Sequence, residues 1–221
     1  MGSVEASQRR SQNRADARRT ILEATEALLV EEGYQAFSIR RLVDRCGYSA
    51  PSIYNYFGDK SGLIRDLVED RFRRFVSDLE SLPLGEDPVR NMFLLSRAFV
   101  DFGLRHSIHY WLLSTSLEDE IGEPPPAAEE ARAILEGPLA ELDSAGRLRG
   151  DHETVKQATW ALLHGLISLQ TSRREIDWSK DLFEVAFGAM MKGLVCGEEC
   201  EGEPADESNV GPAQGENRAN G

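Results

Sequence analysis

From Lys60 onward, Ile64, Val68, Phe72, Phe75 and Leu79 recur at intervals of four and three for about five helical turns, until Pro83, Gly85 and Pro88 end the pattern. A stripe of that period must be buried along one side of a helix, and the same rhythm returns along the chain. Ile21, Leu28 and Leu29 mark a helix from Ala15 to Glu32, closed by Gly33, and Met92, Leu95, Phe99 and Phe102 mark another from Val89 to His106. A shorter helical segment surrounds Tyr110 to Leu117 before Pro124, Pro125 and Pro126 interrupt the run. Further helices are expected from Ala128 to Ala145, His152 to Ser172 and Asp181 to Val195, with Gly146 and Gly150 in one turn and Asp177 to Ser179 in the next. No segment alternates with period two for long enough to form a strand. The expected fold class is therefore all-α, with about nine helices.

Composition narrows the class. The 221 residues are 41% hydrophobic and carry a formal net charge of −13, and no apolar run approaches the roughly 18 residues of a membrane span. Met1 to Arg19 is polar, with no signal-peptide core. Cys46, Cys196 and Cys200 are odd in number and do not form a spaced ligand set, so neither a disulfide framework nor a zinc ribbon is expected. These features together predict a cytoplasmic protein without a cofactor. The charge is uneven: Met1 to Phe75 hold 13 basic and 11 acidic residues, a balance of +2, which leaves −15 for the remainder. The N-terminal end is the better partner for a polyanion. Residues 1–14 read as a disordered basic arm and 196–221 as a disordered acidic tail. The arginines of the arm either add salt-dependent affinity for a polyanion or only solubilise it.

The most informative stretch is Phe37 to Lys60, FSIRRLVDRCGYSAPSIYNYFGDK. Ser38 and Ser49 are placed to cap two short helices, Gly47 ends the first, and Pro51 sits in the first turn of the second, where its missing N–H costs nothing. Ile39, Leu42, Val43, Ile53 and Phe57 supply the apolar side that holds such a pair against a third helix. Arg40, Arg41, Ala50, Ser52, Asn55 and Tyr56 are left to other faces. This is the build of a helix-turn-helix, whose second helix offers free N–H groups and a positive dipole end to phosphate and base edges. A helical hairpin that merely packs would show the same apolar spacing.

Together with Ile21, Ala24, Leu28, Gly33 and Tyr34 in the preceding helix, the sequence resembles the N-terminal domain of the TetR family of transcriptional regulators. The likeness runs without a gap through Phe37, Leu42, Gly47, Ser49, Ile53, Tyr54, Phe57, Lys60, Leu63 and Ile64. It implies a three-helix DNA-binding domain over 15–62, with its helix-turn-helix at about 37–56, and a helical ligand-binding and dimerisation domain over 63–195. It also implies a double-stranded DNA operator as partner. Ser38 would touch a phosphate, Arg40 would read a base or phosphate, and Ala50, Pro51 and Ser52 would face base edges. Ser49 is small enough for close approach, and specificity would rest on Arg40, Arg41, Ser52, Asn55 or DNA shape. Tyr54, Tyr56 and Lys60 would hold phosphates. Ala50 has no hydrogen-bonding group, so it can offer a base only apolar contact.

In the C-terminal half, Trp160, Ala161, His164 and Gly165 resemble the Trp-Ala-x-x-His-Gly pattern in the penultimate helix of one TetR subgroup. The last two helices are apolar on more than one face, either as a central pair or because a second subunit covers them. The resemblance implies a homodimer through Leu162, Gly165, Leu166, Leu169, Phe183, Phe187, Met190 and Met191. It also implies an unidentified small-molecule effector that releases a repressor from DNA. Phe93, Phe99, Phe102, Tyr110, Trp111 and Trp160 are the aromatic candidates to meet it, with His106 and His164 as polar ones. Each of these residues is equally at home in a core. Coupling is expected through Val89 to His106 and the long helix from Lys60 to Leu79. There is no phosphate loop, nucleophile elbow or His-Glu-x-x-His motif, so an enzyme is not expected. His106 and His109 lack a nearby carboxylate for a metal. A helical protein-interaction module is the competing expectation.

Overall fold

The computed structural model describes residues 2–114 and 123–196. Among them are nine α-helices: α1 (Gly2–Glu32), α2 (Ile39–Cys46), α3 (Ala50–Phe57), α4 (Lys60–Glu80), α5 (Pro88–Arg105), α6 (Ser107–Ser114), α7 (Pro126–Ser144), α8 (His152–Ser172) and α9 (Leu182–Leu194). A single 3₁₀ turn, Tyr34–Ala36, joins α1 to α2. The described residues contain no strand, only one isolated bridge between Leu148 and Val195. No helix among them is long and apolar enough to cross a membrane. The acidic tail from residue 197, Cys200 within it, Leu117 and the side chain of His109 lie outside the described residues.

Local chemistry sets the helix ends. Ser38, Ser49 and Asp59 cap α2, α3 and α4 in succession, each side chain accepting a backbone N–H from the first turn of its helix. Gly47 closes α2 at φ 74°, a left-handed conformation in which a side chain is strained. One expectation fails at the start: residues 2–14 continue α1 as helix instead of forming a disordered arm. Arg, Gln and Ala are good helix formers, and extending an existing helix avoids the cost of nucleation. Gln12 and Arg19 both donate to the carboxylate of Asp16, at 3.2 and 2.8 Å, which ties the added turns to the rest of α1.

α4 belongs to both halves of the molecule. Its start packs with Ile21, Leu42, Ile53 and Phe57 in one buried cluster that continues without a break to Phe72, Phe75, Leu95, Phe102, Ala127 and Ala131. The domain boundary expected at residue 62 is therefore crossed by a shared core. The Arg71 guanidinium on α4 donates to the carboxylate of Glu26 on α1 at 2.6 Å, and Arg18 pairs with Asp66 at the same distance. A second cluster lies between α5, α7, α8 and α9, around Val100, Leu142, Ile167 and Phe187.

Candidate nucleic-acid interface and cavity

α3 rests on the core through Ile53 and Phe57 and turns its other side outward. Ser49, Pro51, Tyr54 and Asn55 are exposed, and Ala50, Ser52 and Tyr56 are half-buried. Tyr54 is 45% exposed, which leaves its ring and hydroxyl open to a partner. The hydroxyls of Ser49 and Ser52 stand 2.9 Å apart, so both are oriented before any partner arrives.

The basic residues divide. Arg40 is exposed on α2 and makes no ion pair among the described residues. Arg41 donates instead to Glu32, and Arg45 makes a two-toothed pair with Glu31 at 2.6 Å, so these two fasten α2 to the end of α1. The Lys60 ammonium lies 4.4 Å from the ring centre of Tyr34 and 5.6 Å from that of Phe37, half-buried at the start of α4. Two further cations lie beside this face, Arg14 from the expected basic arm and Arg18, which sequence reasoning gave no site role. Arg14 lies over the ring of Tyr56 at 5.4 Å and Arg18 over that of Phe57 at 4.9 Å, both from α1.

The second feature is a cavity of about 640 Å³ between α4, α5, α6, α7 and α8. Of the eight expected ligand residues, Phe99, Tyr110, Trp160 and His164 line it. The other four do not, and each has another role. Phe93 packs against Phe183 and Phe187, Phe102 stacks on Phe75 with centroids 4.3 Å apart, and His106 lies against Phe102. Trp111 faces the other way, against Tyr34 of the N-terminal unit, at 6.0 Å. Burial and then the Arg71 charge hold the His106 imidazole below its ordinary range.

Inside the cavity, the Tyr110 hydroxyl and His164 Nδ1 are hydrogen-bonded at 2.8 Å, while the rings of Trp160 and Phe99 approach His164 to 4.4 and 5.4 Å. Burial pushes the His164 imidazole down to about 4, so it is neutral at physiological pH. Sequence reasoning missed the whole α7 wall, which includes Ala128, Arg132, Leu135 and Leu139. Arg132 with Glu129 and Glu136 reads as an ordinary solvated charge pattern at helical spacing, and the alanines and leucines read as core.

The expected dimer residues also divide. Phe183, Phe187, Met191 and Leu166 are buried within the subunit's own core, with Phe187 wholly so, and cannot form its outer face. Leu162, Gly165 and Met190 are half-buried, and Leu169 is 51% exposed. The outer face also includes Val185, 69% exposed, which the breadth of apolarity on α9 had not singled out. The inner phenylalanines claimed that breadth for the subunit's own core.

Residues 21–67 match the family model of bacterial regulatory proteins of the tetR family, and residues 92–194 match the tetracyclin repressor-like C-terminal domain. The chain is 31% identical over 80 residues to the HTH-type transcriptional repressor KstR of Rhodococcus jostii (strain RHA1); the match spans 36% of this chain and 37% of that protein's length. The transcriptional regulator FadR of Bacillus subtilis, solved with stearoyl-CoA, has the same fold at a TM-score of 0.63 and 16% identity, over 78% of this chain and 95% of that one. RolR, solved with resorcinol, matches at a TM-score of 0.53 and 19% identity, over 83% of this chain and 90% of the other.

Proposed function

Because this chain belongs to the TetR family of bacterial transcriptional regulators, we propose that it is a homodimeric repressor in the cytoplasm, released from its operator by a small molecule bound in the cavity. The observation that carries this reading is the outward side of α3. Small residues at Ala50, Pro51 and Ser52 allow close approach to a groove, and Tyr54, Asn55 and Tyr56 follow with hydrogen-bonding groups. The N-terminal end of α3 favours phosphate, and Arg40 has the planar fork suited to guanine. Ser38 caps α2 and Lys60 opens α4, on either side of α3 in the chain, and Arg41 fastens α2 to α1 through Glu32.

Two such faces must meet successive half-sites about 34 to 36 Å apart. Leu162, Gly165 and Leu169 on α8, with Val185 and Ala189 on α9, are the surface proposed to pair the subunits. A Cβ placed on Gly165 or Gly188 meets nothing within 4 Å, which leaves room there for a partner's helix. The repressor sense agrees with the name of the relative KstR, and a liganded cavity agrees with the stearoyl-CoA and resorcinol of the two neighbours.

Release is proposed to pass through α6. Tyr110 bonds to His164 in the cavity, while the adjacent Trp111 lies on Tyr34, which in turn carries Lys60 at the start of α4. The test is titration of the protein onto DNA from upstream of its own gene, by fluorescence anisotropy at several salt concentrations. Shuffled DNA and a Ser52→Ala, Tyr54→Ala variant serve as controls. Tight binding that prefers the native sequence, weakens with salt and collapses in the variant is expected. Equal, weak binding to both DNAs, with no fragment selected from the genome, would replace the operator reading with that of a helical interaction module.

A further inference from the structure

The cavity wall carries a chemical preference, and this inference rests on reading the cavity as the effector site. Its inner surface is built from buried Phe72, Met92, Tyr110, Leu139 and Leu163, and no ionised side chain stands among them. The charged residues lie on one side, along α7 and the first turns of α8, and they already answer one another. Arg132 is paired with Glu129 and, at 3.7 Å, with Glu136, and Lys156 with Glu153 at 2.6 Å. Among the described residues, three carboxylates against two cations leave this rim slightly negative, on a chain whose net charge is −13.

An anionic group entering here would have to break an existing pair before gaining one, and would meet net repulsion on the way. The inner wall offers hydrogen bonding instead. With the Tyr110 hydroxyl donating to His164 Nδ1, the ring's N–H is at Nε2, and the rings of Trp160 and Phe99 flank the imidazole at 4.4 and 5.4 Å. We propose that the cavity takes an uncharged, largely apolar and planar ligand bearing a carbonyl or hydroxyl oxygen that bonds to His164 Nε2, in preference to a carboxylate, sulfonate or phosphate. The neutral imidazole suits such a partner, since it brings no charge that an anion could neutralise. Trp160, 64% exposed at the rim, supplies an aromatic face for the ligand to lie against.

The test uses the full chain without DNA. It is titrated with 6-propionyl-2-dimethylaminonaphthalene, an uncharged naphthyl ketone, and in parallel with 1-anilinonaphthalene-8-sulfonate, an anion of similar size; both report binding by fluorescence. The ketone is expected to bind at least about tenfold more tightly than the sulfonate, and His164→Phe to weaken the ketone about tenfold. His164→Gln, which keeps a hydrogen-bonding group, is expected to hold the ketone within about threefold of the parent. Circular dichroism of each variant separates a lost contact from a lost fold. Tighter binding of the sulfonate, ketone binding that His164→Phe leaves unchanged, or no ketone binding would each overturn the proposal. Because DNA is absent from the assay, failure of the operator reading would show only in the anisotropy titration.

Discussion

The outward face of α3 and the cavity behind it are built on opposite plans. The face is assembled within 23 consecutive residues, Ser38 to Lys60, by caps and turns that each settle their neighbour's backbone. The cavity draws its wall from five helices and from residues as far apart as Phe72 and His164. A locally specified face keeps its shape when distant residues change, whereas a cavity assembled from remote pieces changes with any of them. Substitutions along the cavity wall can thus reshape the cavity without reshaping the α3 face.

Two glycines put that contrast to its hardest test. A Cβ on Gly62 would stand 2.1 Å from the carbonyl oxygen of Phe57, a backbone atom that cannot step aside. Gly62→Ala is therefore expected to displace α3 relative to α4 and lower operator affinity about a hundredfold or more, with ligand binding retained. Anisotropy and ligand titrations on one preparation would check both halves, and unchanged operator affinity would refute the local plan. On Gly103 a Cβ would lie 2.6 to 2.9 Å from the fully buried side chain of Ile167, so α5 and α8 must spread. Gly103→Ala is expected to cost about 1 to 3 kcal/mol in urea unfolding and to alter ligand affinity, while the unliganded protein still binds its operator.

The smallest effect concerns protons. His164 titrates at about 4 in the folded chain against 6.5 in its ordinary state. Below about pH 6.5 the unfolded chain takes up a proton that the folded one refuses, so this residue's effect is to lower stability progressively until about pH 4, where it levels off. Urea midpoints at pH 7.5 and pH 5 should differ more for the parent than for His164→Gln. Equal differences would mean that the imidazole is not desolvated.

The same division governs what the sequence made legible. Ser38, Gly47, Ser49 and Pro51 announce α2 and α3 because their chemistry acts on adjacent backbone, and the order of helices follows from apolar stripes and proline breaks. The cavity was half legible. Phe99 and Phe102, or Tyr110 and Trp111, are alike in type and differ only in which side of a helix they occupy relative to elements far along the chain. Phe187 was taken for an outer residue because periodicity shows that a face is apolar without showing what covers it. The helical course of residues 2–14 escaped notice because polarity was read as disorder, although a helix already nucleated downstream can extend through polar residues.

Tyr110 and Trp111 are successive residues on one short helix, so their side chains leave its axis about 100° apart. A molecule that turned α6 through the Tyr110–His164 bond would carry Trp111 across Tyr34. A molecule that fills the cavity along Leu135 and Leu139 without disturbing that bond would leave α6 where it was. On the proposed reading, this chain should accordingly admit silent occupants: compounds that enter the cavity and compete with the effector without moving α6.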